Sequence, residues 1–344
     1  MSESETAVTV DQGTAPAAPP PFVGEPGPSR RLKRLAARVP ESAALILVLA
    51  SLIVFFSVKS PYFFNSDNFI NILIASSVVG VIACPATMLL IAGQFDLSVG
   101  GATALVTVMF AQSFADNNTL IVSILIALGV GLGVGAVNGF LVTVIGVNAL
   151  ITTIGTMGVA RAFAFIRSDG QAIGFDGFTT LGLSRPFLNI PWMVWVFFAV
   201  VLVAAFVMRA TTYGRALYAI GANPAAARLA GIRTRRVIFV AFLLSGFAVG
   251  LTGLLLASET GRGSGDAATG LEFSAITAVV LGGASLSGGR GSIHGTILGV
   301  LIIGVVNNGI VLLNIESFWQ DVVRGLLLII AVAVDQLRLR LTAE

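Results

Sequence analysis

The sequence predicts an all-α, polytopic integral membrane protein crossing a bilayer about ten times, and three observations point there. Hydrophobic residues make up 56% of the 344 and charged ones only 11%, where soluble domains carry roughly 25% charged residues. Mean hydropathy is +0.94. The apolar runs approach the roughly 20 residues that a helix needs to cross the hydrocarbon core, and they lack the period-two alternation of barrel strands. A helix satisfies its own backbone polar groups in lipid, which is why such runs read as helices.

Taken in order, residues 1–29 cluster Pro, Ala, Gly and acidic residues (Pro16, Pro19, Pro20, Pro21, Pro26, Pro28). Such a stretch has little to bury and predicts a disordered tail, too long and polar to begin a cleaved signal peptide. Arg30, Arg31, Lys33, Arg34 and Arg38 then precede the first apolar run, placing that flank in the cytoplasm by the positive-inside rule. The organisation is therefore a Pro/Ala-rich tail with its basic flank over 1–40, a transmembrane domain over 41–337 and a short tail over 338–344. The predicted spans are Ala43–Val58, Phe69–Ala92, Ser98–Phe114, Leu120–Ile145, Val147–Ile166, Ile190–Met208, Val237–Ser258, Glu272–Ser285, Ile293–Asn314 and Phe318–Asp335.

Counting sides from a cytoplasmic N-terminus puts the 209–236 loop inside, with Arg209, Arg215, Arg228, Arg233, Arg235 and Arg236. Arg338 and Arg340 fall on the same side, while the other side receives Lys59, Arg167, Arg185 and Arg262. An odd number of spans would break this agreement with the charge rule. The third and eighth spans are short and flanked by glycine, a pattern that marks transport pathways. Gly135-Ala136-Val137-Asn138-Gly139 is echoed by Gly304-Val305-Val306-Asn307-Asn308-Gly309, so spans two to five and seven to ten are expected to form an inverted repeat.

Several motifs invite a role. Gly131, Gly135 and Gly139, with a second set at Gly129 and Gly133, allow close helix approach, either as ordinary packing or as a sliding surface. In Gly93-Gln94-Phe95-Asp96-Leu97-Ser98-Val99-Gly100-Gly101, Asp96 either caps the next helix at the membrane surface or lies in a turn dipping into the bilayer, where an Asp is costly and usually functional. The residues leave both open. In Gly221-Ala222-Asn223-Pro224-Ala225-Ala226-Ala227-Arg228-Leu229-Ala230-Gly231, an Asn cap, a Pro at the first helical position, helix-forming alanines and a terminating glycine predict a two-turn helix outside the membrane. So short a helix is marginal alone and is expected to dock on a partner, with Arg215, Arg228 and Arg233 available for charge pairs.

Other features exclude functions. The glycine-rich Leu281–Gly291 segment has no phosphate-loop lysine: the only lysines, Lys33 and Lys59, do not follow glycine, so this chain is not its own P-loop ATPase. Cys84 is the single cysteine and His294 the single histidine, which leaves little for disulfide, metal or histidine chemistry. No paired carboxylates or nucleophile with a base suggest an enzyme, and the charge distribution does not suggest nucleic-acid binding. Glu272 opens the eighth span, facing the pathway or capping its helix; Asp321 and Arg324 have the spacing of an ion pair; Arg161 can snorkel and receives no role.

Three blocks resemble the permease subunits of ribose-type ABC importers for monosaccharides and small polyols. They are Phe95-Asp96-Leu97-Ser98-Val99-Gly100, the stretch Thr212-Tyr213-Gly214-Arg215 with Ala219–Ile232, and Ala275–Gly289 continuing to Asn307-Asn308-Gly309. Gln94-Phe95 stands where many relatives have Gly-Ile. The resemblance extends over residues 41–337. It implies a prokaryotic plasma-membrane protein with both termini cytoplasmic, a second permease copy or paralogue, two ATP-binding cassette subunits holding ATP and Mg, an extracytoplasmic sugar-binding protein, and no cofactor on this chain. Tyr213, Gly214, Arg215, Gly221, Asn223, Pro224, Ala226, Arg228 and Gly231 then become the expected ATPase-coupling residues. Gln94, Asp96, Ser98, Asn138, Thr153, Glu272 and Asn308 are the expected pathway residues. An ion-gradient-driven transporter, with Asp96 at its ion site, is the competing expectation.

Overall fold

The computed structural model describes residues 41–116, 118–316 and 318–343; the predicted tail over 1–40 lies outside the described residues. The chain folds into helices α1 (Glu41–Lys59), α2 (Ser66–Ile91), α3 (Val99–Ala115), α4 (Leu120–Phe140, extended by a π turn, Leu141–Ile145) and α5 (Ala149–Arg167). After these come a two-residue strand β1 (Ile173–Gly174), α6 (Thr180–Leu183), α7 (Trp192–Ala210), α8 (Thr212–Ala222), α9 (Pro224–Leu229) and α10 (Thr234–Thr260). Strand β2 (Arg262–Gly263), α11 (Leu271–Leu281), α12 (Ile293–Leu312) and α13 (Phe318–Ala343) complete the order.

Each predicted span coincides with a helix. Among the described residues seven helices are long and apolar enough to cross a membrane, and α3 and α11 are shorter apolar helices. The last helix continues past Asp335 to Ala343. Two details differ from the sequence reading. The 209–236 loop contains α8 in addition to the two-turn helix: the Thr211 hydroxyl caps it by accepting from Gly214 N–H at 3.2 Å, and Gly214, Leu217 and Ile220 form its buried face. The segment between α5 and α7 is also structured, with β1 paired antiparallel to β2 and Gly182 N–H donating to the Ser258 hydroxyl at 3.0 Å.

Small residues set the helix spacing. A Cβ on Gly131 would stand 2.4 Å from Gly246 O, and one on Gly135 would stand 2.5 Å from Phe242 O, so α4 and α10 touch through backbone. Gly129 and Gly133, the second set, face open space. The echoing glycine on α12 does the equivalent job against α2, since a Cβ on Gly304 would meet Ser76 Oγ at 2.3 Å.

The pairing of helices is symmetric. As α4 packs on α10, α12 packs on α2; as α3 packs on α4 and α5, α11 packs on α12 and α13; and α3 lies on α10 as α11 lies on α2. Directions are inverted between the halves. Helix α2 ends where α10 begins, at the end carrying the 209–236 loop, because the Ile91 carbonyl abuts Gly221. Helix α3 runs from the interior toward the end where α10 finishes, with Thr107 Oγ1 accepting from Ser264 N–H at 3.3 Å. Helix α11 runs the other way, to the Gly282–Gly295 contact with α12. The two short helices thus run in opposite directions, and their N-terminal turns meet inside the bundle where Glu272 lies against Gly100.

Candidate functional site

Between α2 and α3 the chain turns at Gly93, in the left-handed region at φ +71°, and runs back into the bundle. Asp96 is 6% exposed. One carboxylate oxygen accepts from Ser98 N–H at 3.0 Å and from the Ser98 hydroxyl at 2.5 Å. The other accepts from the Ser245 hydroxyl of α10 at 2.6 Å. The Ser98 hydroxyl in turn accepts from the Asn138 amide of α4 at 2.8 Å. Asp96 does not cap α3 directly: the N–H it accepts belongs to Ser98, the residue that precedes the helix, and so it fixes the turn leading into α3. Ser245 lies eleven residues into α10, about 16 Å along a helix rising 1.5 Å per residue, so the turn enters the membrane-spanning part of the bundle.

The close α4–α10 crossing makes this arrangement possible. Asn138 follows Gly135 on the same face and is fully buried. Its side-chain oxygen has no hydrogen-bond partner among the described residues, so the network retains an open acceptor.

Glu272, 3% exposed, sits in the first turn of α11. Its Oε2 occupies the space beside Gly100 where a Cβ would approach it to 1.8 Å, which seats the carboxylate on the N-terminal turn of α3 as well as its own, the favourable end of both helix dipoles. Arg324 of α13 reaches the start of α11, its Nη1 standing 2.4 Å from where a Cβ on Gly270 would be. Arg161 does not snorkel free: its Nε and Nη2 are buried without hydrogen-bond partners among the described residues. Arg324 pairs with Asp321 at 2.8 Å, as their spacing suggested.

The other sequence candidates sit elsewhere. Gln94 and Phe95 line a cavity of about 690 Å³ together with Thr143, Asn148, Arg228 and Arg235. They also line a void of about 10 Å³ that Asp96 faces, so these two side chains stand between the open cavity and the buried carboxylate. The Thr153 hydroxyl is spent on its own helix, donating to Ala149 O at 2.9 Å. Asn308 exchanges amide hydrogen bonds with Asn68 at 2.8 and 3.1 Å near the opposite end of the bundle, where it ties α12 to α2. Ser245 escaped the sequence reading, because a lone serine in an apolar span usually bonds back to its own helix.

The arginine-rich end carries the second group of residues. Asn223 caps α9, its side chain accepting from Ala225 and Ala226 N–H, each at 3.0 Å, and Gly231 ends the segment at φ +82°. Pro224, Ala225, Ala226 and Arg228 are exposed, and Leu229 is 91% exposed, so α9 projects an apolar face flanked by arginines. Gly214 has no room for a side chain against the Met208 and Val207 carbonyls. The Tyr213 hydroxyl donates to Val237 O at 3.1 Å; burial raises its pKa, so it remains a donor. Arg215 is exposed, and Gly221 packs against the Ile91 carbonyl. Among the described residues no group of His, Cys, Asp and Glu stands close enough to hold a metal ion.

Known proteins are similar to this sequence over most of its length. The chain is 38% identical over 310 residues to the probable ABC transporter permease protein YphD of Escherichia coli (strain K12), covering 90% of this chain and 93% of that protein. It is 36% identical over 301 residues to the ribose import permease protein RbsC of the same strain, covering 86% and 93%. Against the L-arabinose transport system permease protein AraH of that strain it is 37% identical over 301 residues, covering 87% and 92%. No solved structure matches. The family described as branched-chain amino acid transport system / permease component matches residues 68–332, and the chain belongs to that family of membrane permeases.

Proposed function

We propose that this chain is the transmembrane subunit of an ABC importer that carries a monosaccharide or related small polyol into the cytoplasm by alternating access. Hydrolysis of ATP, with Mg, takes place on separate ATP-binding cassette subunits. A second permease copy, identical or a paralogue, completes the pore, and an extracytoplasmic sugar-binding protein delivers the substrate. Both termini and the 209–236 loop are cytoplasmic, in a prokaryotic plasma membrane.

The observation that carries this reading is α9. A capped helix of six residues cannot hold itself in water, yet it projects a leucine at 91% exposure beside Arg228. Such a surface calls for a protein partner, and an ATPase groove supplies one. The sugar class draws on the ribose and arabinose permeases among the relatives. It also fits the Asp96, Ser98, Asn138 and Ser245 network, whose hydroxyl and amide groups suit an uncharged polyol. Gln94 and Phe95 act as the barrier between that network and the cytoplasmic cavity. Reconstitution of the permease with its ATPase and binding protein tests the proposal: sugar uptake should require both ATP and the ATPase. Uptake that persists without the ATPase, or that follows an ion gradient instead, overturns it.

A further inference from the structure

Three backbone segments meet at one point between α9 and the Asp96 turn. A Cβ on Gly221, in the last turn of α8, would lie 1.8 Å from Ile91 O and 2.4 Å from Gly289 N. Gly289 N–H donates to Ile91 O at 2.8 Å. Ile91 is the final residue of α2, and the last carbonyls of a helix have no partner within it. The glycine-rich turn over 282–292 therefore closes the end of α2 from outside. Gly288 and Gly289 take φ +83° and +75°, a left-handed pair that brings their backbone onto Gly93 and Gly221.

The same turn is gripped from two further sides. The Tyr218 hydroxyl of α8 donates to Gly291 O at 2.9 Å. Asp335 of α13 accepts from the Ser285 hydroxyl at 3.1 Å and from Leu286 N–H at 3.3 Å, and pairs with Arg290 at 3.8 Å. From Ile91 the chain reaches Asp96 in five residues. A movement of α9 thus has a short route: through Tyr218 and Gly221 to the turn, through Gly289 to Ile91, and along the stem to the buried carboxylate.

We infer that the 282–292 turn is the element transmitting motion of the ATPase-facing segment to the intramembrane network, with Tyr218 and Gly289 as positioning residues. The inference rests on the reading of α9 as the ATPase contact. It accounts for the glycine run without a phosphate ligand: side chains there would hold the three segments apart.

Tyr218→Phe removes one hydroxyl and little else, and Asp335→Asn loosens the opposite side of the turn. Each is to be studied in the complete importer, reconstituted with ATPase and binding protein. The readout is ATP hydrolysed per sugar imported, alongside co-purification of the ATPase. The expected result is normal co-purification, sustained hydrolysis, and a ratio raised about three- to tenfold, the factor a lost hydrogen bond allows. A wild-type ratio in both variants, with wild-type uptake still dependent on the ATPase, overturns the transmission role alone. Wild-type uptake that needs no ATPase removes the underlying reading, and the transmission role falls with it.

Discussion

Replacing Ser245 by Ala probes the deepest part of the account. The hydroxyl donates to Asp96 at 2.6 Å, and Asp96 is 6% exposed, so water does not replace the lost donor. Neutral hydrogen bonds between membrane helices average about 0.6 kcal/mol, whereas bonds to charged groups contribute about 1.5–3 kcal/mol. Asp96 then keeps only its Ser98 donors, so these two figures bracket the loss. Reversible unfolding in mixed micelles of wild type, Ser245→Ala, Asp96→Ala and the double variant isolates the pairwise energy. A coupling between about 0.6 and 3 kcal/mol is expected, with a parallel fall in sugar uptake. A coupling within the about 0.3–0.5 kcal/mol seen for unconnected sites would refute the placement of the Asp96 turn against the middle of α10.

Three further outcomes follow from the packing. Gly131→Val forces α4 from α10, since its Cβ would stand 2.4 Å from Gly246 O, and should lower unfolding stability by about 1–3 kcal/mol; Gly133→Val, facing open space, should change it by less than about 0.5 kcal/mol. Gly100→Ala displaces the Glu272 carboxylate from the first turn of α3 and should abolish uptake in membrane vesicles, with partial rescue by Glu272→Ala in the same chain; full uptake by Gly100→Ala alone would contradict the seating of Glu272. Asn223→Ala should cost α9 about 1 kcal/mol, and together with Arg228→Ala it should uncouple hydrolysis from transport while insertion stays intact; unchanged ATPase stimulation would count against the coupling role.

What the residues announced and what they concealed divide along physical lines. Hydropathy determines where a chain crosses a bilayer, so α2, α4, α7 and α10 were legible from composition alone. Local capping chemistry is equally direct, and Asn223-Pro224 specifies the start of α9. Helix α8 was less visible because its buried face, Gly214, Leu217 and Ile220, interrupts an arginine-rich stretch that reads as a loop. Asp96 was identifiable as a candidate, but its depth depends on the α4–α10 crossing, a tertiary fact. Ser245 and the environment of Arg161 depend on the same kind of contact. Thr153 and Asn308 show the converse: polar side chains in apolar spans attract attention, yet one bonds its own helix and the other ties two helices together.

The central claim is that α9 faces the cytoplasm and meets the energy-supplying subunit. With Cys84, the only cysteine, replaced by Ala, a Leu229→Cys variant presents a single exposed thiol on that helix. Labelled in intact cells and in inside-out vesicles with a membrane-impermeant maleimide, it should react only from the cytoplasmic face and be protected when the ATPase is bound. Reaction from the outside of intact cells, or equal labelling with and without the ATPase, would contradict the account.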